Sequence, residues 1–291
     1  MENSPSENQL LVGAHMSTEG GLFRAVERGA QIGCTAIQLF TRNPSQWFSP
    51  PLSEKDVTEF RDAVSRTKMA AVVAHDSYLI NLASPDASLR KRSIAAMLDE
   101  LDRASALGIP LLVTHLGAHT GQGEENGLQT LVDSLAEVTD ARPDAPVSVC
   151  LETTAGQGTS LGWAFEHIAW VLSKLSAPGR FRTCFDTCHV FAAGYDLVTR
   201  DTYEKTWREF DKVVGIRYLA VMHLNDAKKE LGSRVDRHAH IGKGEIGEGA
   251  FRRIMQDPEL RGVPKILETP ESETMHAVNL SLLRELAART G

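Results

Sequence analysis

Six short apolar runs in this chain each stop on a residue type that can bind a metal ion. They are M-A-A-V-V-A-H ending at His75, P-L-L-V-T-H at His115, V-S-V-C-L-E at Glu152, T-C-F-D at Asp186, Y-L-A-V-M-H at His223 and P-K-I-L-E at Glu268. Runs of this length, rich in Val, Leu and Ile, suit buried strands. One histidine or carboxylate at a strand end is ordinarily a hydrogen-bonded or helix-capping group. Six in the same place are different. If the strands are parallel, the side chains meet at one rim, where unpaired acids and imidazoles repel or lose solvation unless a cation sits among them.

The segments between the runs carry apolar stripes at helical spacing. Ile94, Met97, Leu98 and Leu101 form one; Leu128, Leu131, Val132 and Leu135 another; Phe165, Ile168, Ala169 and Leu172 a third. Leu10–His15 and Thr35–Phe40 read as two further strands, giving eight strand-then-helix units with no Pro/Gly/Ser linker between halves. That alternation points to an α/β fold, a closed (β/α)8 TIM barrel, rather than a doubly wound sheet. The expected organisation is a disordered tail over residues 1–8 and a single catalytic barrel over residues 9–291. Ser53-x-x-Asp56 reads as a capping box, and Ser84-Pro85 as an N-cap with proline in the first helical position. Leu224–Gly247 is the longest irregular segment. Active sites of this fold lie at the C-terminal ends of the strands, where the histidines and carboxylates fall.

Among the 291 residues, the net charge of −7 argues against a surface coated in basic residues, but not against a local basic rim around a cationic site. The four cysteines, Cys34, Cys150, Cys184 and Cys188, lack the spacing of a disulfide framework and read as buried thiols in a reducing compartment. The N-terminal M-E-N-S-P-S-E-N-Q has no basic or apolar leader character, and no apolar run reaches transmembrane length. The expectation is a cytoplasmic monomer without a membrane partner.

Three loop residues extend the rim set: His189, three positions after Asp186, and the pair Asp236 and His238. Alternation places both members of that pair on one side of an extended segment. The nine candidates are then His75, His115, Glu152, Asp186, His189, His223, Asp236, His238 and Glu268. A catalytic zinc commonly keeps about three protein ligands and one open position. Nine ligands with one bridging carboxylate therefore suit three metals. Nitrogen and oxygen donors without thiolate suit Zn²⁺, with Mn²⁺ or Fe²⁺ as alternatives at individual positions. His15 reads as a group behind the ligands or a substrate contact, His119 and His240 as solvent-facing or behind the ligands, His167 and His276 as structural, and Asp76 and Asn225 as acceptors behind the ligands.

Five ordered motifs carry a family resemblance. H-D-S-Y-L-I-N-L-A (His75–Ala83), E-T-T-A-G-Q-G (Glu152–Gly158), C-F-D-T-C-H-V-F-A-A-G-Y-D (Cys184–Asp196), M-H-L-N-D-A-K (Met222–Lys228) and G-S-R-V-D-R-H-A-H-I-G-K-G (Gly232–Gly244) together resemble the endonuclease IV family of apurinic/apyrimidinic endonucleases. The resemblance implies a trinuclear zinc site in which Glu152, the central catalytic carboxylate, bridges two metals. His75 and His115 complete one; Asp186, His223 and Glu268 complete the second; His189, Asp236 and His238 hold the third. It implies hydrolysis of duplex DNA 5′ to an abasic site, leaving a 3′-hydroxyl and a 5′-deoxyribose phosphate, together with cleaning of blocked 3′ ends. Tyr78 and Leu79 become an apolar wedge between base pairs. Arg42, Lys228, Lys229, Arg234, Arg237 and Lys243, on expected rim loops, become candidates for phosphate contact. The sequence departs from the family pattern at Thr153, where an Asn is familiar, at Arg182, where a Gly is usual, and at Ser45, where a basic DNA-inserting residue is known. Two other readings are a divalent-metal sugar isomerase or epimerase on the same barrel, and a damage-binding protein without catalysis.

Overall fold

Eight parallel strands close on themselves. In the computed structural model, which describes residues 10–289 apart from 176 and 178, they are β1 (Val12–His15), β2 (Ala36–Phe40), β3 (Ala71–His75), β4 (Leu111–His115), β5 (Ser148–Glu152), β6 (Phe181–Asp186), β7 (Leu219–His223) and, after a short antiparallel pair β8 (Asp226–Ala227) and β9 (His238–Ala239), β10 (Lys265–Leu267). β10 pairs with β1 and completes a (β/α)8 barrel. The tail expected over residues 1–8 lies outside the described residues. Helices α1 (Leu22–Gln31), α2 (Glu54–Thr67), α3 (Ala87–Leu107), α4 (Glu124–Ala141), α5 (Phe165–Lys174), α7 (Arg200–Val213), α8 (Glu248–Gln256) and α9 (Ser272–Ala288) connect the strands. A short α6 (Thr187–Ala193) follows β6 directly. The apolar stripes pack inward: Phe60, Met97, Leu101, Leu131, Phe165, Phe210 and Phe251 are all buried in one continuous core.

Inside the barrel lies a separate small core of Leu11, Ala36, Val73, Val113, Cys150, Cys184, Val221 and Ile266. Side chains alternate between the two faces of a strand, so the residue two positions later also points inward, one level higher. Those residues are Gly13, Gln38, His75, His115, Glu152, Asp186, His223 and Glu268. The period of two thus lifts a polar ring directly above an apolar plug. At Gly13 even a Cβ is excluded, since it would collide with the Ala36 carbonyl oxygen across the β1–β2 pair.

Register fixes who meets whom. His115 lies opposite Glu152, and Asp186 opposite His223. The second pairing depends on a bulge: Thr183 faces Leu219 but Cys184 faces Val221. Without that one-residue step Asp186 would face Met222, whose side chain belongs to the outer core.

Local capping follows the sequence at α2, where Ser53 and Asp56 form the expected capping box. It differs at α3, whose N-cap is Asp86 rather than Ser84. The Asp86 carboxylate accepts both Ser88 N at 2.8 Å and Leu89 N at 2.9 Å, while the Ser84 hydroxyl accepts only Asp86 N at 3.2 Å. Two donors satisfied by one carboxylate outweigh one weaker bond, and Pro85 stays outside the helix. Among the described residues, no helix is long and apolar enough to cross a membrane.

Candidate metal centre

Among the described residues, five groups of ligand atoms lie within 4.8 Å of one another. Two include a buried thiol, Cys184 with Glu152 and His223 and Cys188 with Asp186 and His238. The three without a thiol are His75, His115 and Glu152; Glu152, Asp186, His223 and Glu268; and His189, Asp236 and His238. Together these three use all nine residues singled out in the sequence and share only Glu152. Its two carboxylate oxygens face different partners. Oε2 lies 3.2 Å from His75 Nε2 and 3.1 Å from His115 Nε2, whereas Oε1 lies 2.9 Å from His223 Nδ1 and 3.3 Å from His189 Nδ1. In the third group Asp236 stands between His189 Nε2 and His238 Nε2, each at 3.2 Å.

The hydrogen-bond partners of the rings show what this set can hold. His75 Nδ1 donates to the Asp76 carbonyl at 2.9 Å, His189 Nδ1 to the Thr153 carbonyl at 2.8 Å and His238 Nδ1 to the Glu268 carbonyl at 3.1 Å. A neutral imidazole has one N–H. With that hydrogen spent on a backbone carbonyl, the other nitrogen, Nε2 in each case, turns a bare lone pair toward a carboxylate. Two acceptors at about 3 Å are tolerable only with a positive charge between them. Metal-ligating histidines are commonly fixed by donating their second nitrogen to a carbonyl, and the donor set fits divalent cations.

The electrostatics point the same way. Burial opposes a positive charge on His75, but the bond and the charge of Glu152 outweigh it and raise its pKa to about 10. Burial likewise opposes ionisation of Glu152, yet the charges of His223 and His115 hold its carboxyl well below the usual range. Asp236 is held low, against burial, by its bonds to His189 and His238. The cluster is built for positive charge. Five imidazolium ions would supply it poorly, because neighbouring ring centroids, such as His75 and His115 at 5.4 Å and His189 and His238 at 5.5 Å, would put like charges in contact.

Outer contacts fix the ligands. Asn225 donates to Asp186 Oδ2 at 2.7 Å and accepts from Glu268 N at 2.8 Å, so it serves two carboxylate residues rather than its neighbour His223. Asp76 accepts from Thr114 Oγ1 at 2.6 Å and stands 3.6 Å from His75 Nδ1. Thr153 Oγ1 accepts from Asp186 N at 2.9 Å, which accommodates a threonine at this departure from the family motif. His189 lies on α6 rather than a turn, because Asp186 caps that helix through His189 N at 2.9 Å. Cys184 belongs to the apolar plug below, and Cys188 Sγ faces the Arg237 carbonyl at 3.6 Å. His119 accepts from Gly123 N at 3.1 Å at the start of α4, and His240 is engaged by Asn279 at 3.2 Å, away from the cluster.

The candidate ligand groups floor a cleft of about 460 Å³, walled by Phe40, Tyr78, Ser272 and His276. A second hollow of about 410 Å³ continues past Asn81, Gly156, Gln157 and Arg237. Tyr78 stands at their edge, 68% exposed, with Leu79 half-buried beside it. Lys228, Lys229, Arg237 and Lys243 are exposed. Arg234 is half-buried and lies over the Trp163 ring at 3.6 Å. Arg42 corrects the sequence expectation. It is not on the surface: its guanidinium is buried against Glu100 at 2.7 Å and ties down the Gln46 carbonyl at 2.7 Å.

A family model described as a xylose isomerase-like TIM barrel matches residues 26–286. A probable endonuclease 4 of Chloroflexus aggregans is 48% identical over 280 residues, covering 96% of this chain and 98% of that protein. The chain belongs to the endonuclease IV family. A second relative, a probable endonuclease 4 of Geotalea daltonii, is 46% identical over 277 residues, covering 94% and 97% of the two chains. The crystal structure of endonuclease IV from Thermus thermophilus superposes with a TM-score of 0.84 at 35% identity, over 94% of this chain and 98% of that one. A D-tagatose 3-epimerase-like protein, at 18% identity and a TM-score of 0.69 over 96% and 98% of the chains, shares the fold alone. Endonuclease IV membership therefore separates this chain from barrels that share only its architecture.

One buried residue at this endonuclease IV-type centre escapes a search for strand-end ligands. Gln38, fully buried, donates from Nε2 to Glu268 Oε1 at 2.7 Å and places Oε1 2.8 Å from His223 Nε2. Its signal in sequence is faint: a lone amide two residues after Ala36, at the same inward register as the ligands of the other strands.

Proposed function

We propose that this chain is a zinc-dependent endonuclease that hydrolyses the phosphodiester 5′ to an abasic site in duplex DNA. The products are a 3′-hydroxyl and a 5′-deoxyribose phosphate, and blocked 3′ ends are a second substrate. The observation that carries the reading is the convergence of nine nitrogen and oxygen donor residues into three groups sharing Glu152, with three of the histidines held by Nδ1 bonds to backbone carbonyls. The names of the close relatives supply the reaction class.

His75, His115 and Glu152 would hold one metal, Glu152 with Asp186, His223 and Glu268 a second, and His189, Asp236 and His238 a third. Divalent metals supply a nucleophilic water at neutral pH and charge stabilisation at phosphoryl and leaving oxygens. The chain's own residues do the rest. Backbone carbonyls and Asn225 keep each ligand in one orientation. Tyr78 and Leu79 fill the gap left in the base stack, which an abasic nucleotide leaves cheaply because it has no base to unstack. Lys228, Arg234 and Arg237 contact the phosphates that place the strand over the cleft.

The test is a duplex carrying one tetrahydrofuran abasic analogue, incubated with the protein before and after chelation. This analogue cannot undergo β-elimination, so a cut that leaves a 3′-hydroxyl is hydrolytic. Metal-dependent cutting at the lesion is the expected result. Binding without cutting by zinc-saturated protein would replace the proposal with a damage-binding role, and neither binding nor cutting would redirect it to sugar substrates.

A further inference from the structure

We infer that Gln38 is a positioning residue that fixes the proton positions on two imidazoles of the centre, leaving His223 Nδ1 bare toward the carboxylates and the His15 hydrogen on Nε2. The inference rests on the metal-binding reading above, because only a bound cation makes the bare His223 nitrogen useful.

One amide decides both proton positions. Gln38 is fully buried, so each of its polar atoms must find a partner inside the protein. The atom 2.7 Å from Glu268 Oε1 has to be the NH2, since an ionised carboxylate only accepts. The other amide atom is then the oxygen, which only accepts. It lies 2.8 Å from His223 Nε2, so that nitrogen carries the hydrogen. A neutral His223 is therefore bare at Nδ1, which faces Glu152 Oε1 at 2.9 Å and Glu268 Oε2 at 3.2 Å.

The second hydrogen of the Gln38 NH2 reaches His15 Nδ1 at 3.0 Å. The same nitrogen lies 3.5 Å from Glu268 Oε1, beyond its 3.0 Å separation from the NH2; against that nearer donor it accepts, so the hydrogen of a neutral His15 sits on Nε2. His15 Nε2 is buried without a hydrogen-bond partner, and His15 lines the cleft over the metal-binding groups. One glutamine from β2 thus orients the Glu268 carboxylate just after β10 and the His223 imidazole at the end of β7, and holds the His15 ring at the end of β1 in one tautomer. Among the described residues, no backbone carbonyl does for His223 what the Asp76, Thr153 and Glu268 carbonyls do for His75, His189 and His238. Gln38 takes that place.

The experiment compares wild type, Gln38→Met and Gln38→Glu by long-range ¹H–¹⁵N NMR of the histidine rings in zinc-saturated and zinc-free protein, alongside zinc retention against a chelator. Methionine matches the shape of glutamine but has no amide. In wild type, His223 and His15 should both carry hydrogen on Nε2. In Gln38→Met both tautomers should become mixed, and zinc retention should fall about 10–100-fold, as for other groups that orient metal ligands. Gln38→Glu keeps an oxygen for His223 and sets a second oxygen between Glu268 Oε1 and His15 Nδ1, where it takes up a proton to donate to Glu268 and turns its remaining lone pair to His15. It should therefore move the His15 hydrogen to Nδ1 while leaving His223 unchanged. A Gln38→Met protein with wild-type tautomers and wild-type zinc retention would overturn the inference and leave Gln38 a packing residue. If that variant does not fold, an unmoved His15 hydrogen in Gln38→Glu overturns it equally. Failure of wild type to take up zinc would sink the metal-binding reading instead, and the zinc-free spectra would still report on Gln38.

Discussion

Arg42→Met separates a structural cation from a DNA-contacting one. Arg42 and Glu100 side chains are each 1% exposed and 2.7 Å apart. The Glu100 carboxylate has one further donor, Thr41 Oγ1 at 2.5 Å. Removing the guanidinium leaves a buried carboxylate with a single hydroxyl partner, a change that costs about 3–5 kcal/mol. At an unfolding entropy of about 2.1 cal/mol/K per residue, a chain of this length loses roughly 5–8 °C of melting temperature. The loop Asn43–Trp47 should loosen as well, since Arg42 also bonds the Gln46 carbonyl at 2.7 Å. Burial keeps the Glu100 pKa raised despite Arg42 and Thr41, so the pair is not fully compensated. The double variant Arg42→Met/Glu100→Gln, which removes both charges and keeps an acceptor for Thr41, should therefore recover most of the loss. Melting curves of the three proteins decide the stability part, and salt titrations of DNA binding well below the melt decide the rest. A phosphate contact contributes about 0.9 to the slope of log affinity against log salt, and Arg42→Met should leave that slope unchanged. A variant that melts within about 1 °C of wild type but loses a unit of slope would refute the reasoning and return Arg42 to the DNA interface.

Tyr78→Ala should leave stability within about 0.5 kcal/mol, because the ring is 68% exposed, yet weaken binding to abasic duplex in a fluorescence titration. Glu152→Gln removes the carboxylate shared by two ligand groups; zinc content should fall, and cleavage should drop on the order of a thousandfold or more at about 1.4 kcal/mol per decade, read by metal analysis and single-turnover assay. Lys265 gives a pH signature. Burial, only partly offset by Asp257, lowers its pKa from 10.5 to about 8. The unfolded chain then binds that proton more tightly than the folded one, so wild type should gain stability relative to Lys265→Met as pH rises from about 8 to 10.5 and show no relative change below that window. Urea denaturation of both proteins across that range checks the sign.

Much of the centre was legible because it follows the strand period. His75, His115, Glu152, Asp186 and His223 end strands as read from the sequence, and Glu268 follows β10 by one residue. Each sits two positions above a residue of the interior plug. What the sequence hid depends on three-dimensional contacts. Arg42 looks like a rim cation until Glu100, on α3 at 58 residues' separation, draws it inside. Gln38 looks like a polar interruption in an apolar run until β10 and β7 close around it. The bulge that sets Asp186 opposite His223 leaves no local mark. Within Leu224–Gly247, the short β8–β9 pair forms because Asp226 and Ala227 find Ala239 and His238 across the loop, a pairing two residues long that periodicity does not reveal. Ser84-Pro85 misled for a local reason: Asp86, one residue beyond the proline, is the stronger cap.

Zinc stoichiometry tests the central claim most directly. Metal-free protein dialysed to equilibrium against zinc and analysed for metal per chain should bind three ions in wild type, and Asp236→Ala should lose one, because Asp236 belongs to a single ligand group. A wild-type protein that saturates at one zinc, or an Asp236→Ala protein that still binds three, would contradict the account of three ligand groups sharing Glu152.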